Sequence, residues 1–365
     1  MKITRLETIV INMPMVIEGA VLPRQGGKAR TSMDTLLLRI DTDEGISGWG
    51  EGFGHRIFSA TKAALDSFIG PMCIGRDPTA VGALVDELQR NLAGVGRNGP
   101  AMYALSAIDI ALWDIAGKIA GLPLYRLLGG TICRDLPAYA SLLRYGDPRA
   151  VVHHVERALK RGYRHLKLHE ITLEPIQAAR AAAGVEPGIM VDCNCPWSVN
   201  EAIDMARRLS DFDLTWLEEP VWPPEDHAGL AQVRTQGGIA TAAGENAMLP
   251  EFKGLFEAGA LAYAQPSVTK VGGITQLRKV QALAEAFGVE VVPHSAYFGP
   301  GLIASIHCIA AMPRGGLVER YDADFAENPL HDAIMPGRDG RIPVPQGPGL
   351  GIDPDPVLLS KLRVG

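Results

Sequence analysis

GIMVD, at residues 188–192, is a short apolar run that ends in an acid, and LTWLE repeats the pattern at 214–218. Further runs of this kind lie on both sides, and each is followed by a stretch with the apolar spacing of a helix. They are AYASL (138–142), HLKLH (165–169), IATAAG (239–244), AYAQP (262–266), VEVVP (289–293) and GLVE (316–319). Because strands that alternate with helices form parallel sheets through right-handed crossovers, eight such units predict a (β/α)8 barrel.

A charged side chain or an imidazole recurs near the end of seven of these strands. The positions are Lys167, Asp192, Glu218, Glu245, Lys270, His294 and Glu319, which follow one another at intervals of 24 to 27 residues. A surface charge pattern has no reason to keep this period. A barrel does, because every strand delivers its carboxyl end to one common face, where the active sites of barrels are built.

The segments outside the barrel show different patterns of apolar residues. Residues 1–55 have the pattern of strands and turns, and residues 57–120 change to helical spacing, which predicts a small α+β module before the barrel. The tail is rich in Gly, Pro and Asp and predicts a non-helical return across the first domain. We therefore expect an N-terminal domain at 1–130, the barrel at 131–337 and the C-terminal return at 338–365.

The composition of the 365 residues excludes several classes of protein. Hydrophobic side chains make up 47% and charged side chains 21%, without the bias of disordered or fibrous chains. The net charge of −6 is spread along the chain, so nucleic acid is not an expected partner. No apolar run is long enough for a membrane, and Glu7 would fall inside the core of a signal peptide, so we expect a cytoplasmic protein. The five scattered cysteines predict free core thiols rather than disulfides.

Asp192, Glu218 and Glu245 end three consecutive strands, in the contexts VDCN, WLEEP and AGEN. Three converging carboxylates repel one another unless a cation lies among them. Mg²⁺ prefers such all-oxygen sets and keeps positions open for water and substrate, whereas each acid taken alone is equally consistent with a helix cap or an arginine partner. Alternation along the strand allows only one of Glu218 and Glu219 to face inward, and it does not say which.

Lys167 and His169 are two residues apart on one strand and therefore point to the same side. Because a neighbouring cation lowers the pKa of an imidazole, His169 is a candidate base that stays neutral near pH 7. The alternative is a salt-bridging lysine and a helix-capping histidine. His294, at the end of the seventh strand, lies across the predicted barrel and is a candidate for the second proton transfer.

Two neighbouring features allow more than one interpretation. Glu319, on the eighth strand, is a candidate to hydrogen-bond a developing enolate oxygen, or else a partner for Arg320 or Arg314. The glycine pair at 272–273 lacks the spacing of a P-loop or of a dinucleotide fingerprint. We interpret it as a tight turn between strand and helix.

Segments in both domains match the motifs of one known family. They are SAIDIALWDIAGKIAGLPLYRLLGG (106–130), VDCNCPW, WLEEP and GEN at the strand ends, KVGG (270–273) and LVERYD (317–322). In these segments the chain resembles the enolase superfamily and, within it, the mandelate racemase and muconate lactonizing enzyme family. The resemblance implies an α+β capping domain over a modified (β/α)8 TIM barrel, with Mg²⁺ held by Asp192, Glu218 and Glu245. It thereby selects Glu218 over Glu219.

The resemblance also implies a reaction, the abstraction of the proton α to the carboxylate of a small-molecule substrate, in a homo-oligomeric enzyme. Mg²⁺ and the ammonium of Lys167 would stabilise the resulting enediolate. The loop at 16–32 would close over the far end of the substrate, where Arg24, Lys28 and Arg30 are candidates to hold a polar or anionic tail. Further candidates for electrostatic or substrate contacts are Lys270, Asn194 and Glu319.

Two departures from the family pattern bear on the reaction. The second strand reads Lys167-Leu168-His169 where the racemase pattern has Lys-x-Lys, so the base on that side is His169 or is missing. The pattern also pairs the seventh-strand histidine with a sixth-strand aspartate, whereas QPSVTKVGG places Ser267 there. The racemase histidine itself aligns nearer to Tyr297 than to His294.

The resulting asymmetry favours one reaction of the family over another. Racemisation needs two comparable bases, whereas β-elimination of water needs one base and one acid. We therefore expect a dehydratase of a sugar acid, with Lys167 and His169 on the side of proton abstraction and His294 assisting the departing hydroxyl. The alternatives are a racemase or epimerase of a 2-hydroxy or amino acid and, from another class, a non-catalytic barrel that binds a metal or a carboxylate.

Overall fold

The computed structural model describes residues 1–16, 31–131, 134–330 and 335–364. Its N-terminal part is an antiparallel β-meander followed by helices, as the sequence predicts. The strands are β1 (Ile3–Val16), β2 (Ser32–Thr42) and β3 (Ser47–Gly52), and the helices are α1 (Phe58–Ala64), α2 (Val81–Asn91), α3 (Pro100–Ala120) and α4 (Leu124–Leu127). Apolar residues spaced three and four apart on α2 and α3 pack against the meander and form a core of their own.

Eight parallel strands follow, and they confirm the predicted barrel. They are β4 (Asp135–Ser141), β5 (His165–Leu168), β6 (Gly188–Asp192), β7 (Leu214–Glu218), β8 (Thr241–Ala243), β9 (Tyr263–Ala264), β10 (Glu290–Val291) and β11 (Val318–Tyr321). Their order in the sheet is β10-β9-β8-β7-β6-β5-β4-β11. The intervening helices are α5 (Pro148–Lys160), α6 (Leu173–Ala183), α7 (Val199–Leu209), α8 (His227–Gly237), α9 (Leu249–Glu257), α10 (Gly273–Phe287) and α11 (Pro300–Ala310).

The C-terminal segment joins both parts of the molecule. Its elements are β12 (Asp324–Phe325), which pairs with β1, β13 (Arg341–Pro343), which pairs with β4, and α12 (Pro356–Leu362). The helix α12 corrects the prediction of a non-helical tail. The Asp355 carboxylate accepts hydrogen bonds from the backbone N–H groups of Val357 and Leu358, so a capped helix forms in a segment whose composition favours turns.

Two buried acids of the N-terminal domain cap helices of the barrel. Glu51 accepts a hydrogen bond of 2.8 Å from the backbone N–H of Gly301 in α11, and Asp109 accepts one of 3.0 Å from that of Thr275 in α10. Burial raises the pKa of each carboxyl to about 7. A Cβ at Gly273, where φ is +84°, would lie 2.2 Å from the Asp109 carboxylate, so the glycine pair is the expected tight turn.

A separate cluster of buried side chains comes from five of the barrel strands and the segments that follow them. Its members are Tyr139, Met190, Trp216, Ala242 and Val292. The four described cysteines, Cys73, Cys193, Cys195 and Cys308, are free thiols, as predicted. Across the described residues, no helix combines the length and the apolar character that a bilayer crossing requires.

Candidate active site

The ammonium of Lys167 lies at the centre of the carboxyl face of the barrel. It is fully buried, 2.9 Å from Glu218 Oε1, 2.8 Å from Glu319 Oε1 and 3.6 Å from Asp192 Oδ2. Burial disfavours its charge, but the surrounding carboxylates outweigh that effect and raise the pKa of Lys167 well above its usual value. Glu319 thus pairs with Lys167, and the alternative of an arginine partner at Arg320 or Arg314 is wrong.

Glu218 is the member of the acidic pair that faces the interior. Its Oε2 accepts hydrogen bonds from Trp216 Nε1 at 3.0 Å and from Gln265 Nε2 at 2.7 Å. Burial and the nearby Asp192 raise the pKa of Glu218 to about 7 although Lys167 opposes them. Glu219 leaves the strand with φ of +43°, and the Cys195 thiol donates to its carboxylate at 3.7 Å. The structure thus shows which of the two acids faces inward, and the role of Glu218 as a metal ligand stays a prediction.

His169 contacts the same cluster from the other side of Asp192. Its Nε2 lies 3.1 Å from Asp192 Oδ2, and its Nδ1 hydrogen-bonds the carbonyl oxygen of Leu142. Burial lowers the pKa of His169, but the Asp192 carboxylate outweighs burial and the opposing charge of Lys167, so the pKa is raised. This corrects the expectation of a lowered pKa, which considered the lysine on the same strand and not the acid on the next one.

The Asp192 carboxylate is itself fixed by the chain that follows it. Its Oδ1 accepts hydrogen bonds from the backbone N–H of Asn194 at 3.0 Å and from Asn194 Nδ2 at 2.8 Å. Asn194 was a candidate for substrate contact. In the structure Asn194 donates to this acid and also accepts a hydrogen bond of 3.5 Å from Arg144 Nη2, so Asn194 orients a carboxylate of the site.

His294 lies at the opposite end of the row of acids. Its Nε2 is 2.9 Å from Glu245 Oε2 and 4.0 Å from Glu319 Oε2, and its Nδ1 is 3.2 Å from the hydroxyl of Tyr297. Lys270 also contacts Glu245, at 3.3 Å. The barrel therefore brings the predicted polar groups of seven strands together, with an imidazole at each end of the row formed by Asp192, Glu218 and Glu245.

The donor set of that row fits a hard divalent cation. All three side chains offer only carboxylate oxygens, and Asp192 and Glu218 are partners in the strand register. Their charges are met by lysine and histidine side chains, so that within the described ranges no three His, Cys, Asp or Glu side chains already surround a common point. These three residues would hold the ion, and it would supply positive charge beside that of Lys167.

The N-terminal domain reaches this face through an aromatic side chain that the sequence analysis missed. The ring centroid of Phe53 lies 4.3 Å from Lys270 Nζ, which also donates to Asn246 Oδ1 at 2.9 Å. No periodic signal marks Phe53, because it follows the meander in a turn. The expected closing residues Arg24, Lys28 and Arg30 lie outside the described residues.

Comparison with known proteins supports the interpretation of this face. The chain is 33% identical over 349 residues to D-galactarolactone cycloisomerase of Agrobacterium fabrum, covering 90% of this chain and 91% of the relative. It is 31% identical to D-galactonate dehydratase of Ralstonia nicotianae, covering 89% and 90%. The crystal structure of a racemase from Streptomyces coelicolor with bound magnesium superposes with a TM-score of 0.86 at 29% identity, covering 99% and 100%.

Family models match most of the chain. The model for the N-terminal domain of mandelate racemase and muconate lactonizing enzyme matches residues 23–129. The model described as "Enolase C-terminal domain-like" matches residues 150–358. These matches agree with the capping module and the barrel described above. The chain therefore belongs to the mandelate racemase and muconate lactonizing enzyme family of the enolase superfamily.

Proposed function

We propose that the protein is a Mg²⁺-dependent dehydratase of a sugar acid, which removes the α-proton and then the β-hydroxyl. One observation carries the proposal. Two histidines with different surroundings, His169 and His294, lie at the two ends of one row of carboxylates. Relatives named as sugar acid dehydratases and cycloisomerases support a substrate of this class. Asp192, Glu218 and Glu245 are the proposed ligands of the ion.

The bound ion would supply positive charge where the substrate carboxylate becomes an enediolate. The ammonium of Lys167 adds a second positive charge in the same water-poor site, where it stabilises the same developing oxygen. His169 accepts the α-proton. It would do so in its neutral form, and the nearby charge of Lys167 opposes protonation of the imidazole.

His294 completes the proposed reaction. Its Nε2 donates a proton to the departing β-oxygen, so that the C–O bond breaks as the enediolate collapses into a double bond and water leaves. Glu319, held by Lys167 and by the backbone N–H of Ser295 at 3.0 Å, keeps Lys167 in place beneath the substrate. His169 takes up one proton and His294 gives up one, so the reaction has no net proton change and needs no oxidant.

A second candidate, cycloisomerisation, is favoured by the relative at 33% identity that carries this name. The same base can remove the α-proton and the same acid can protonate a β-oxygen that belongs to a ring. The elimination then opens the ring and releases no water. Racemisation is less well supported, because the two proton-transfer groups have different partners. The Lys167 and His169 pair lies beside Asp192, whereas His294 lies beside Glu245 and Tyr297.

The test is incubation of the protein with Mg²⁺ in D2O and a panel of sugar acids, sugar lactones, hydroxy acids and amino acids, followed by proton NMR. Loss of the α-proton signal with appearance of a 2-keto-3-deoxy acid establishes the dehydratase and names its substrate. Ring opening of a lactone without release of water assigns the cycloisomerase. Exchange with inversion and no new product would contradict the proposal and assign a racemase.

A further inference from the structure

The hydroxyl of Tyr297 lies between two residues that the sequence analysis connected with the acid of the site. It is 3.2 Å from Nδ1 of His294 and hydrogen-bonds the hydroxyl of Ser267. All three side chains, His294, Tyr297 and Ser267, are buried, and Ser267 has no exposed surface. The Tyr297 hydroxyl is therefore fixed from its far side before it meets the imidazole.

The two nitrogens of His294 have different tasks in this arrangement. Nε2 faces Glu245 and the row of acids, where the substrate would lie, and Nδ1 faces away from it toward Tyr297. The partner of one ring nitrogen determines the plane of the ring and the tautomer at the other. A carboxylate partner accepts only, whereas a hydroxyl both donates and accepts. A hydroxyl partner can therefore donate to Nδ1 and leave the ring proton on Nε2.

We propose that Tyr297 is the positioning residue of His294 and, with Ser267 behind it, takes the place that an aspartate occupies in the racemase pattern. The inference rests on the proposed function, since it assigns a partner to the acid of that reaction. Tyr297 holds the imidazole in the plane that points Nε2 at the substrate and keeps the proton on that nitrogen. Tyr297 itself touches no reacting atom.

The first test needs no substrate. Protein labelled with ¹⁵N at histidine is loaded with Mg²⁺ at pH 8.5, and the His294 signals are assigned by their loss in His294→Asn. We expect one nitrogen with the shift of an N–H and one with the shift of a bare nitrogen in the wild type. In Tyr297→Phe the two shifts move toward their mean, because the tautomers interconvert. Unchanged shifts in Tyr297→Phe would overturn the proposal.

The second test uses the sugar acid that the NMR panel identifies. Tyr297→Phe is expected to lower kcat about 100-fold, the cost of a misplaced catalytic group, with little change in KM and with α-proton exchange retained. Tyr163→Phe, which removes another buried tyrosine hydroxyl of the barrel, serves as the matched control and leaves both constants unchanged. A wild-type kcat in Tyr297→Phe would contradict the proposal.

A rescue variant separates positioning from mere space filling. The asparagine of Ser267→Asn extends further than serine, and its amide can place an N–H donor where the tyrosine hydroxyl was. We therefore expect Tyr297→Phe combined with Ser267→Asn to recover a large part of the lost kcat. No recovery, together with unchanged ¹⁵N shifts, would show that the tyrosine only fills space. If no acid in the panel reacts, the proposed function fails, and the ¹⁵N experiment still decides on Tyr297.

Discussion

The ammonium of Lys167 lies 2.8 Å from Oε1 of Glu319, and each side chain is only 1% exposed. A buried pair of this kind adds little net stability, but removal of one partner is strongly destabilising because it leaves the other charge buried and unpaired. Three carboxylates share this one ammonium, so the charge balance of the whole site depends on it. The lysine is thus a structural counterion and, in the proposed reaction, also the group that faces the developing enediolate.

We expect Lys167→Met to lower the free energy of unfolding of the metal-free protein by about 3–5 kcal/mol, since it leaves buried carboxylates unpaired. Added Mg²⁺ should restore part of the loss by supplying positive charge. The control is Lys62→Met, whose partner Asp66 is 43% exposed and whose effect should stay below about 1 kcal/mol. Urea unfolding with and without Mg²⁺ makes the measurement, and equal effects of the two variants would refute the assignment.

Substitution of the three proposed ligands should weaken metal binding far more than substitution of the adjacent Glu219. Asp192→Asn, Glu218→Gln and Glu245→Gln are each expected to weaken Mg²⁺ binding by about 100-fold or more, since even outer partners of a metal ligand are worth 10–100-fold. Glu219→Gln is the comparison variant, because Glu219 turns toward Cys195, and its effect should be much smaller than that of the three ligands. Calorimetric titration measures each affinity. Weakening by Glu219→Gln alone would move the ligand assignment to that residue.

The two histidines should separate the two halves of the reaction. His169→Asn is expected to abolish exchange of the substrate α-proton, a loss of about 10²–10⁴-fold. His294→Asn should retain exchange in D2O but form product slowly, because the leaving oxygen then departs without a proton. Proton NMR follows both processes in one sample. Exchange at the wild-type rate in His169→Asn would remove that residue from the mechanism.

The buried Glu51 should make stability depend on pH. Its folded-state pKa is raised to about 7 from 4.5, so the folded protein binds the proton more tightly than the unfolded chain. This contribution is therefore present at low pH and is lost as the pH rises toward 7, by up to about 3 kcal/mol. Glu51→Gln should stabilise the protein at pH 8, and the gain should shrink toward pH 5. A gain independent of pH, in thermal melts across this range, would contradict the explanation.

Gly273→Ala tests the contact between the two domains. Its Cβ would lie 2.2 Å from Asp109 Oδ1 at a φ of +84°, so overpacking of about 1–3 kcal/mol adds to the strain of the backbone. Gly238→Ala is the matched control, since φ is +75° there and nothing lies within 4 Å. It should cost only about 1–2 kcal/mol. Urea unfolding measures the loss of unfolding free energy in each variant. Equal losses would mean that the Asp109 side chain moves aside without an energetic penalty.

The barrel and the set of site residues could be predicted because the regular spacing of apolar runs and polar strand ends can be read from the sequence. Strand ends recur at 24 to 27 residues, and one face must collect them. The pKa of His169 could not be predicted in this way, because it depends on how close Asp192 of the next strand lies. Phe53 was missed, and Tyr297 was noted only in the comparison of motifs and given no role, because both lie in loops, where no period marks a residue. The domain limits and the homo-oligomer stay predictions.

Glu51 and Asp109 connect the two domains in a way that bears on protein engineering. Each carboxylate belongs to one domain and completes the first turn of a helix in the other, so α10 and α11 would lack these caps in an isolated barrel. A chimera that takes its capping domain from a relative would therefore need to supply a side-chain hydrogen-bond acceptor at both positions. Exchange of substrate specificity by domain grafting is thus limited by helix capping as well as by the shape of the pocket.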